Sequence, residues 1–337
     1  MEHRSITTVQ EKEFGHELMT KLDGRRFPVS GQWELTCRCN LRCVMCYTDC
    51  FNTPDRLREE LSFHEIVRIM DEIQEAGCLE ITLTGGEPLA RKDFLDIYAY
   101  AKQKGFLITV FTNGTMVTER LVEFWTQYPP AMIEISFHGL TKQSFERITQ
   151  GLGSYDRCRE GIRLILERKL PLTLKTTGMT LNRDEVFRIK EYVAGLGYEY
   201  SEKVQYKFGS DIRPRLDSSE DVYAYQLSEQ DVTAIEQADP EFRAERCRQD
   251  GQKEETLRQG KPLCGGGLYK FHIDAYGQLQ LCSRNRRRSY DLRRGSFREG
   301  FYEVLPQFPC PARQPSGQET LLSINAPVAR ANTKEVA

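Results

Sequence analysis

Trp33-Glu34-Leu35-Thr36-Cys37-Arg38-Cys39-Asn40-Leu41-Arg42-Cys43-Val44-Met45-Cys46 passes from a short apolar-alternating run, the expected first strand of a domain, into a loop with cysteines at C-x3-C-x2-C spacing. Three thiolates on one short loop suit three corners of a cubane iron-sulfur cluster and leave the fourth iron without a protein ligand. An open coordination position separates catalytic metal sites from structural ones. Taken alone, the triplet Cys39, Cys43 and Cys46 also suits a zinc site completed by Cys37 or Cys50.

Outward from this loop, short apolar runs alternate with longer amphipathic stretches. Strands are expected at Gln32 to Thr36, Glu80 to Thr84, Leu107 to Thr112, Met132 to Phe137, Leu172 to Thr177 and Lys203 to Phe208. Between them Ser62-Phe63-His64-Glu65 is a capping box that opens a helix, and Gly77 stands at its stop. Phe94 to Lys104, Thr118 to Gln127, Ser154 to Lys169 and Asp184 to Leu196 carry apolar residues at three and four spacing and predict further helices. Six alternations predict parallel strands with right-handed crossovers, in a barrel or a doubly wound sheet. The turns after the first four strands favour the barrel: the cysteines, Gly85-Gly86-Glu87-Pro88, Asn113-Gly114-Thr115 and His138-Gly139 all fall at carboxyl ends, the face on which barrel enzymes build their sites.

The expected organisation is a lead-in over 1–30, the barrel over 31–226, a charged linker helix over 227–260, a small second domain over 261–310 and a disordered, polar tail over 311–337. In the second domain Tyr269 to Asp274 and Gln278 to Ser283 flank Ala275-Tyr276-Gly277, a hairpin signature. With 337 residues and a net charge of −2, nothing in the bulk charge pulls the chain toward nucleic acid or anionic lipid. No apolar run approaches the roughly 18 residues of a membrane span, and no cleavable leader is read before Glu11-Lys12-Glu13-Phe14, so the expected compartment is the cytoplasm. Five of the eleven cysteines lie between Cys37 and Cys50, and such clustering in a reducing compartment favours metal ligation. Cys37, Cys78 and Cys158 are expected to face the interior rather than to ligate.

Together, the cysteine triplet, Thr84-Gly85-Gly86-Glu87-Pro88-Leu89 and Thr112-Asn113-Gly114 resemble the radical S-adenosylmethionine (SAM) superfamily over roughly residues 32–210. The resemblance implies an α/β fold, a partial (β/α)6 TIM-type barrel, holding a 4Fe-4S cluster whose open iron is chelated by S-adenosyl-L-methionine. It further implies reductive cleavage of that cofactor to a 5'-deoxyadenosyl radical, hydrogen abstraction from a substrate, and an external electron donor. By the same resemblance Gly85, Gly86 and Glu87 bind the methionine amino group, Asn113 and Ser136 contact the ribose or methionine, and Lys175 pairs with the cofactor carboxylate. Met45 departs from the aromatic residue that many members carry before the third cysteine.

Cys264-x12-Gly277-x4-Cys282 resembles the entry of the SPASM and twitch extensions, which hold auxiliary iron-sulfur clusters. Downstream of Cys282 only Cys310 follows, so the resemblance implies a small C-terminal auxiliary domain that either holds one cluster on Cys264, Cys282 and Cys310 or is degenerate or truncated, and two clusters are excluded. Ile212-Arg213-Pro214-Arg215-Leu216-Asp217 and Tyr225-Gln226-Leu227-Ser228 resemble the bridging region of peptide maturases and point to a peptide or protein substrate. The arginines at 284, 286, 287, 288, 293, 294 and 298 suit an acidic leader peptide or a solvated surface, and without interleaved aromatics they argue against RNA. Two alternatives stay open: a radical enzyme acting on a small molecule in cofactor or secondary-metabolite biosynthesis, and a non-enzymatic zinc or iron-sulfur protein.

Overall fold

Each apolar run that becomes a strand here is flanked by a helix whose apolar face covers it, so every crossover returns the chain parallel to the strand before. The computed structural model describes residues 17–18, 21–22, 24–48, 53–200, 204–213, 221–259 and 263–310. Six parallel strands, β1 Ser30–Glu34, β2 Glu80–Thr84, β3 Leu107–Thr112, β4 Met132–Ser136, β5 Leu172–Thr177 and β6 Gln205–Gly209, lie side by side in chain order. That order has no reversal, as a doubly wound sheet would require, and β1 does not pair with β6. The α/β class and the partial barrel expected from the turns are therefore observed.

The crossovers carry α1 Phe63–Glu75, α2 Phe94–Gln103, α3 Glu119–Gln127, α4 Lys142–Thr149, α5 Ser154–Glu167 and α6 Val186–Glu199. Alternation in the strands sorts the side chains. Trp33, Leu83, Val110, Ile133, Ile135 and Leu174 join the buried core with Ile66, Ile69, Ile97, Trp125, Ile165 and Ile189 of the helices. The intervening residues Gln32, Phe111, Glu134, Ser136, Lys175 and Thr177 line a cavity on the concave face.

Strand β1 ends two residues earlier than expected. Its ladder with β2 stops at Glu34↔Thr84, and the Arg91 guanidinium then takes the Leu35 carbonyl at 2.8 Å, turning the chain into the cysteine loop. The charged stretch expected as one linker helix is two, α7 Glu229–Ala238 and α8 Pro240–Arg258, because Pro240 cannot continue a helix and Asp239 caps the second one.

The hairpin expected in a unit of its own extends the barrel sheet. β7 Lys270–Ile273 pairs parallel with β1, followed by antiparallel β8 Gln278–Gln280 and β9 Tyr290–Asp291. Gly31 has a packing reason: a Cβ there would lie 2.3 Å from the Phe271 ring, which Phe297 then closes at 4.8 Å between ring centroids. The tail over 311–337, most of the lead-in, Cys50 and residues 214–217 of the bridging region lie outside the described residues. Among the described residues no helix is long and apolar enough to cross a membrane.

Candidate functional site

The cysteine loop has no regular secondary structure, and three neighbouring elements fix it. Backbone N–H groups of Arg42 and Val44 donate to the carbonyls of Thr149 and Ile148 at the end of α4, at 3.1 and 2.9 Å. On the opposite side Gly86 and Glu87, after β2, donate to the Thr36 and Arg38 carbonyls at 2.8 and 2.6 Å. From the turn after β3, Asn113 Nδ2 donates to Asn40 Oδ1 at 2.9 Å, and Asn40 Nδ2 donates to Thr115 Oγ1 at 2.8 Å.

So held, Cys39, Cys43 and Cys46 line one cavity of ≈ 270 Å³ together with Gly85, Gly86, Asn113, Ser136 and Lys175. Among the described residues no group of three or more Cys, His, Asp or Glu is arranged to hold a metal ion. A cubane cluster asks for less, since each thiolate binds its own corner iron. Burial pushes the Cys39 thiol up to about 12, with Glu87 and Cys46 adding to it against the Leu41 N–H. A thiol so placed is a poor nucleophile, whereas a metal coordinating it would deprotonate it. The donor set therefore suits an iron-sulfur cluster.

Several of the expected residues also have partners within the chain. Glu87 is fully buried behind the cavity wall, where its carboxylate accepts from Thr112 Oγ1 and the Asn113 N–H, both at 2.7 Å, and from the Leu89 N–H at 3.1 Å. Burial nevertheless raises it to about 7. The glycines are required on the protein side: a Cβ on Gly85 would lie 2.4 Å from the Thr36 carbonyl oxygen, and one on Gly86 2.4 Å from that of Arg38. Lys175 faces Glu134 at 3.2 Å, and Lys207 holds the other oxygen of that carboxylate at 2.7 Å. Cys37 turns away from the cavity, its thiol donating to Glu60 Oε1 at 3.0 Å.

The sequence reading missed Glu134, His138 as a lining side chain, and Tyr47 with its two guanidinium neighbours. Glu134 had a legible signal, a lone charge inside an apolar strand. His138 accepts the Thr177 N–H on Nδ1 at 3.1 Å, which puts its proton on Nε2. Tyr47 lies under Arg213 at 4.7 Å and Arg286 at 5.5 Å, and only the fold brings these distant positions together.

The second cysteine group is apart from this cavity. A Cβ on Gly266 would meet Cys264 Sγ at 3.4 Å and Cys282 Cβ at 3.6 Å, so these two stand side by side. Cys282 bridges to Asn285, whose amide donates to the Pro309 carbonyl at 3.0 Å, which draws the neighbour of Cys310 into the same corner. Most of the arginine series is engaged within the chain: Arg284 with Asp211, Arg286 with Glu34, Arg293 with Glu65 and Arg294 with Asp291. Of these four only the Arg286 side chain is buried; Arg284, Arg293 and Arg294 stay exposed, as do Arg287, Arg288 and Arg298.

With this geometry in place, comparison with known proteins bears on the fold and on the domain that holds the cavity. Residues 33–193 match the Radical SAM superfamily profile. They form a radical SAM domain. The chain is 33% identical over 178 residues to a PqqA peptide cyclase of Granulibacter bethesdensis, covering 51% of this chain and 46% of the relative. It is 30% identical over 165 residues to an AdoMet-dependent heme synthase of Methanosarcina barkeri, covering 49% and 47%. The chain thus spans about half the length of the curated relatives it matches. Among solved structures, native anSMEcpe with bound AdoMet superposes with a TM-score of 0.63 at 17% identity, over 82% of this chain and 80% of that one. At that identity the likeness speaks for the fold of the radical SAM domain.

Proposed function

We propose that the chain is a radical SAM enzyme that modifies a peptide or protein substrate, with Cys39, Cys43 and Cys46 as the cluster ligands. A 4Fe-4S cluster with S-adenosylmethionine on its open iron supplies reductive cleavage of the sulfonium and a 5'-deoxyadenosyl radical that abstracts hydrogen. This chain's residues hold and shield that chemistry. The Gly85-Gly86 turn presses the cysteine loop into place, Asn113 locks it through Asn40, and Glu87 ties the turns after β2 and β3 together. Ser136, Lys175 and His138 are among the polar residues that line the cavity beside the cysteines. The observation that carries the reading is the meeting of the three cysteines and the glycine turn around one cavity.

The peptide substrate is supported by the PqqA peptide cyclase relative and by the maturase-like bridging segment. The heme synthase relative, at nearly the same identity, favours a small-molecule substrate as the second reading. One auxiliary iron-sulfur cluster on Cys264, Cys282 and Cys310 is supported by the side-by-side placement of the first two. The reading also includes a cytoplasmic location and an external electron donor.

Anaerobically reconstituted chain with S-adenosylmethionine and dithionite is expected to release 5'-deoxyadenosine, and Cys43→Ala to abolish it. Co-expression with a peptide encoded nearby is expected to shift that peptide's mass. Purified protein holding zinc without iron or acid-labile sulfide would end this reading.

A further inference from the structure

We propose that Lys207, held on Glu134 inside the barrel, selects an acidic side chain of the peptide substrate. The inference rests on the reading of the chain as a peptide-modifying radical SAM enzyme and names what that peptide must carry. Alternation along β6 sets the direction of the lysine. Phe208 stacks on Phe242 of α8 at 5.3 Å between ring centroids, and Tyr206 donates to the Val186 carbonyl at the start of α6 at 3.4 Å, so Lys207 faces the concave side. There its Nζ lies 2.7 Å from Glu134 Oε2; the carboxylate side chain is 4% exposed and the lysine side chain 51%. Lys175, the partner of Lys207 in the β5–β6 ladder, takes Glu134 Oε1 at 3.2 Å and lies over the Phe111 ring at 5.3 Å.

Two ammonium groups thus share one carboxylate. Lys175 by itself neutralises Glu134 and is also fixed by the Phe111 ring, which leaves the charge of Lys207 in excess. Among the described residues Lys207 forms no ion pair other than that with Glu134. Depth separates this group from the cysteines. Glu134 stands two residues before Ser136, roughly 7 Å toward the amino ends of the strands, whereas the cysteine loop leaves the carboxyl end of β1. β6 is the edge of the sheet, with no strand beyond it among the described residues, so Lys207 stands on the side where the barrel is not closed. A substrate carboxylate arriving there meets a half-exposed ammonium and brings the group to two charges of each sign. A lysine or arginine side chain at the same point would face two cations.

The test uses the full, cluster-reconstituted chain with S-adenosylmethionine bound, and a random peptide library, each member linked to its own messenger RNA, as the probe. Retained peptides are expected to carry Asp or Glu at one position at least threefold above the unselected library. Lys207→Met is expected to bring that enrichment down to the unselected level and Lys207→Arg to keep it. Glu134 retains Lys175 as its counterion in both variants. A second measurement needs no variant: at equal ionic strength, glutarate is expected to release the retained peptides at a concentration at which glutaramide does not. Enrichment that persists in Lys207→Met overturns the proposal and assigns the acidic preference to another surface, such as the exposed arginines after β8. Peptides retained without acidic enrichment, or released equally by glutarate and glutaramide, overturn it and leave the peptide reading standing. Retention of no peptide above bare resin overturns both. Failure of the cluster reading shows separately, as absence of 5'-deoxyadenosine from the unsubstituted chain with dithionite.

Discussion

At Gly86 a single methyl group would lie 2.4 Å from the Arg38 carbonyl oxygen and 2.8 Å from that of Cys37, so the β2 turn reaches the cysteine loop only without a side chain. Gly86→Ala is expected to cost about 1–3 kcal/mol, as overpacking does, and to lower iron bound per chain after reconstitution, read by metal analysis beside a urea midpoint. His138 makes a pH prediction. Burial, with Lys175 adding to it, lowers its pKa to about 3 from an ordinary 6.5, so the folded imidazole stays neutral. Below pH 6.5 the unfolded chain takes up a proton that the folded chain refuses, and stability falls as pH drops toward 3. Between pH 6.5 and 5 the loss is at most about 2 kcal/mol. Glu87, raised to about 7, acts in the opposite sense, since its ionisation as pH rises from 4.5 destabilises the fold. Urea midpoints of the unsubstituted chain minus those of His138→Gln at each pH isolate the histidine; a flat difference would remove this account.

Among the elements, α4 contributes most to the site for its length. Its eight residues supply the two carbonyls that anchor the cysteine loop, yet the periodicity of such a short helix is too brief to read. Its start is fixed by Thr141, whose hydroxyl accepts from the Ser144 N–H at 3.1 Å, with Glu185 reinforcing the cap through Ser144 Oγ at 2.7 Å. Thr141→Ala is expected to lose about 0.5–2 kcal/mol by denaturant titration. Because the loop is bonded to the helix's far end, iron content is expected to stay near that of the unsubstituted chain.

On the scale of the whole molecule, the C-terminal hairpin is a structural part of the barrel. β7 covers the edge of β1, and Arg286, beyond β8, reaches Glu34 on β1, with Nη1 to Oε2 at 3.1 Å and both side chains nearly buried. Removing one partner leaves the other charge buried without its counterion. Arg286→Met is therefore expected to cost about 3–5 kcal/mol, and Glu34→Met/Arg286→Met to recover most of it. Urea midpoints of the two single variants and the double variant check this. Additive losses would mean that the pair does not couple the hairpin to the barrel.

The sequence by itself determined the order of strands and helices, the parallel winding and the three site turns. These are local facts of periodicity, capping and residue type, and β2, β3 and β5 fall on the residues their alternation predicts. The C-x3-C-x2-C spacing likewise sufficed to place three thiols on one loop. Only the tertiary structure decided that the hairpin joins β1, that Glu87 faces inward, that Lys175 meets Glu134, and that most of the arginines after β8 are engaged within the chain. Each of these depends on residues distant along the chain, such as Glu34 and Arg286, whose meeting is set by how the layers pack and leaves no local periodicity to read.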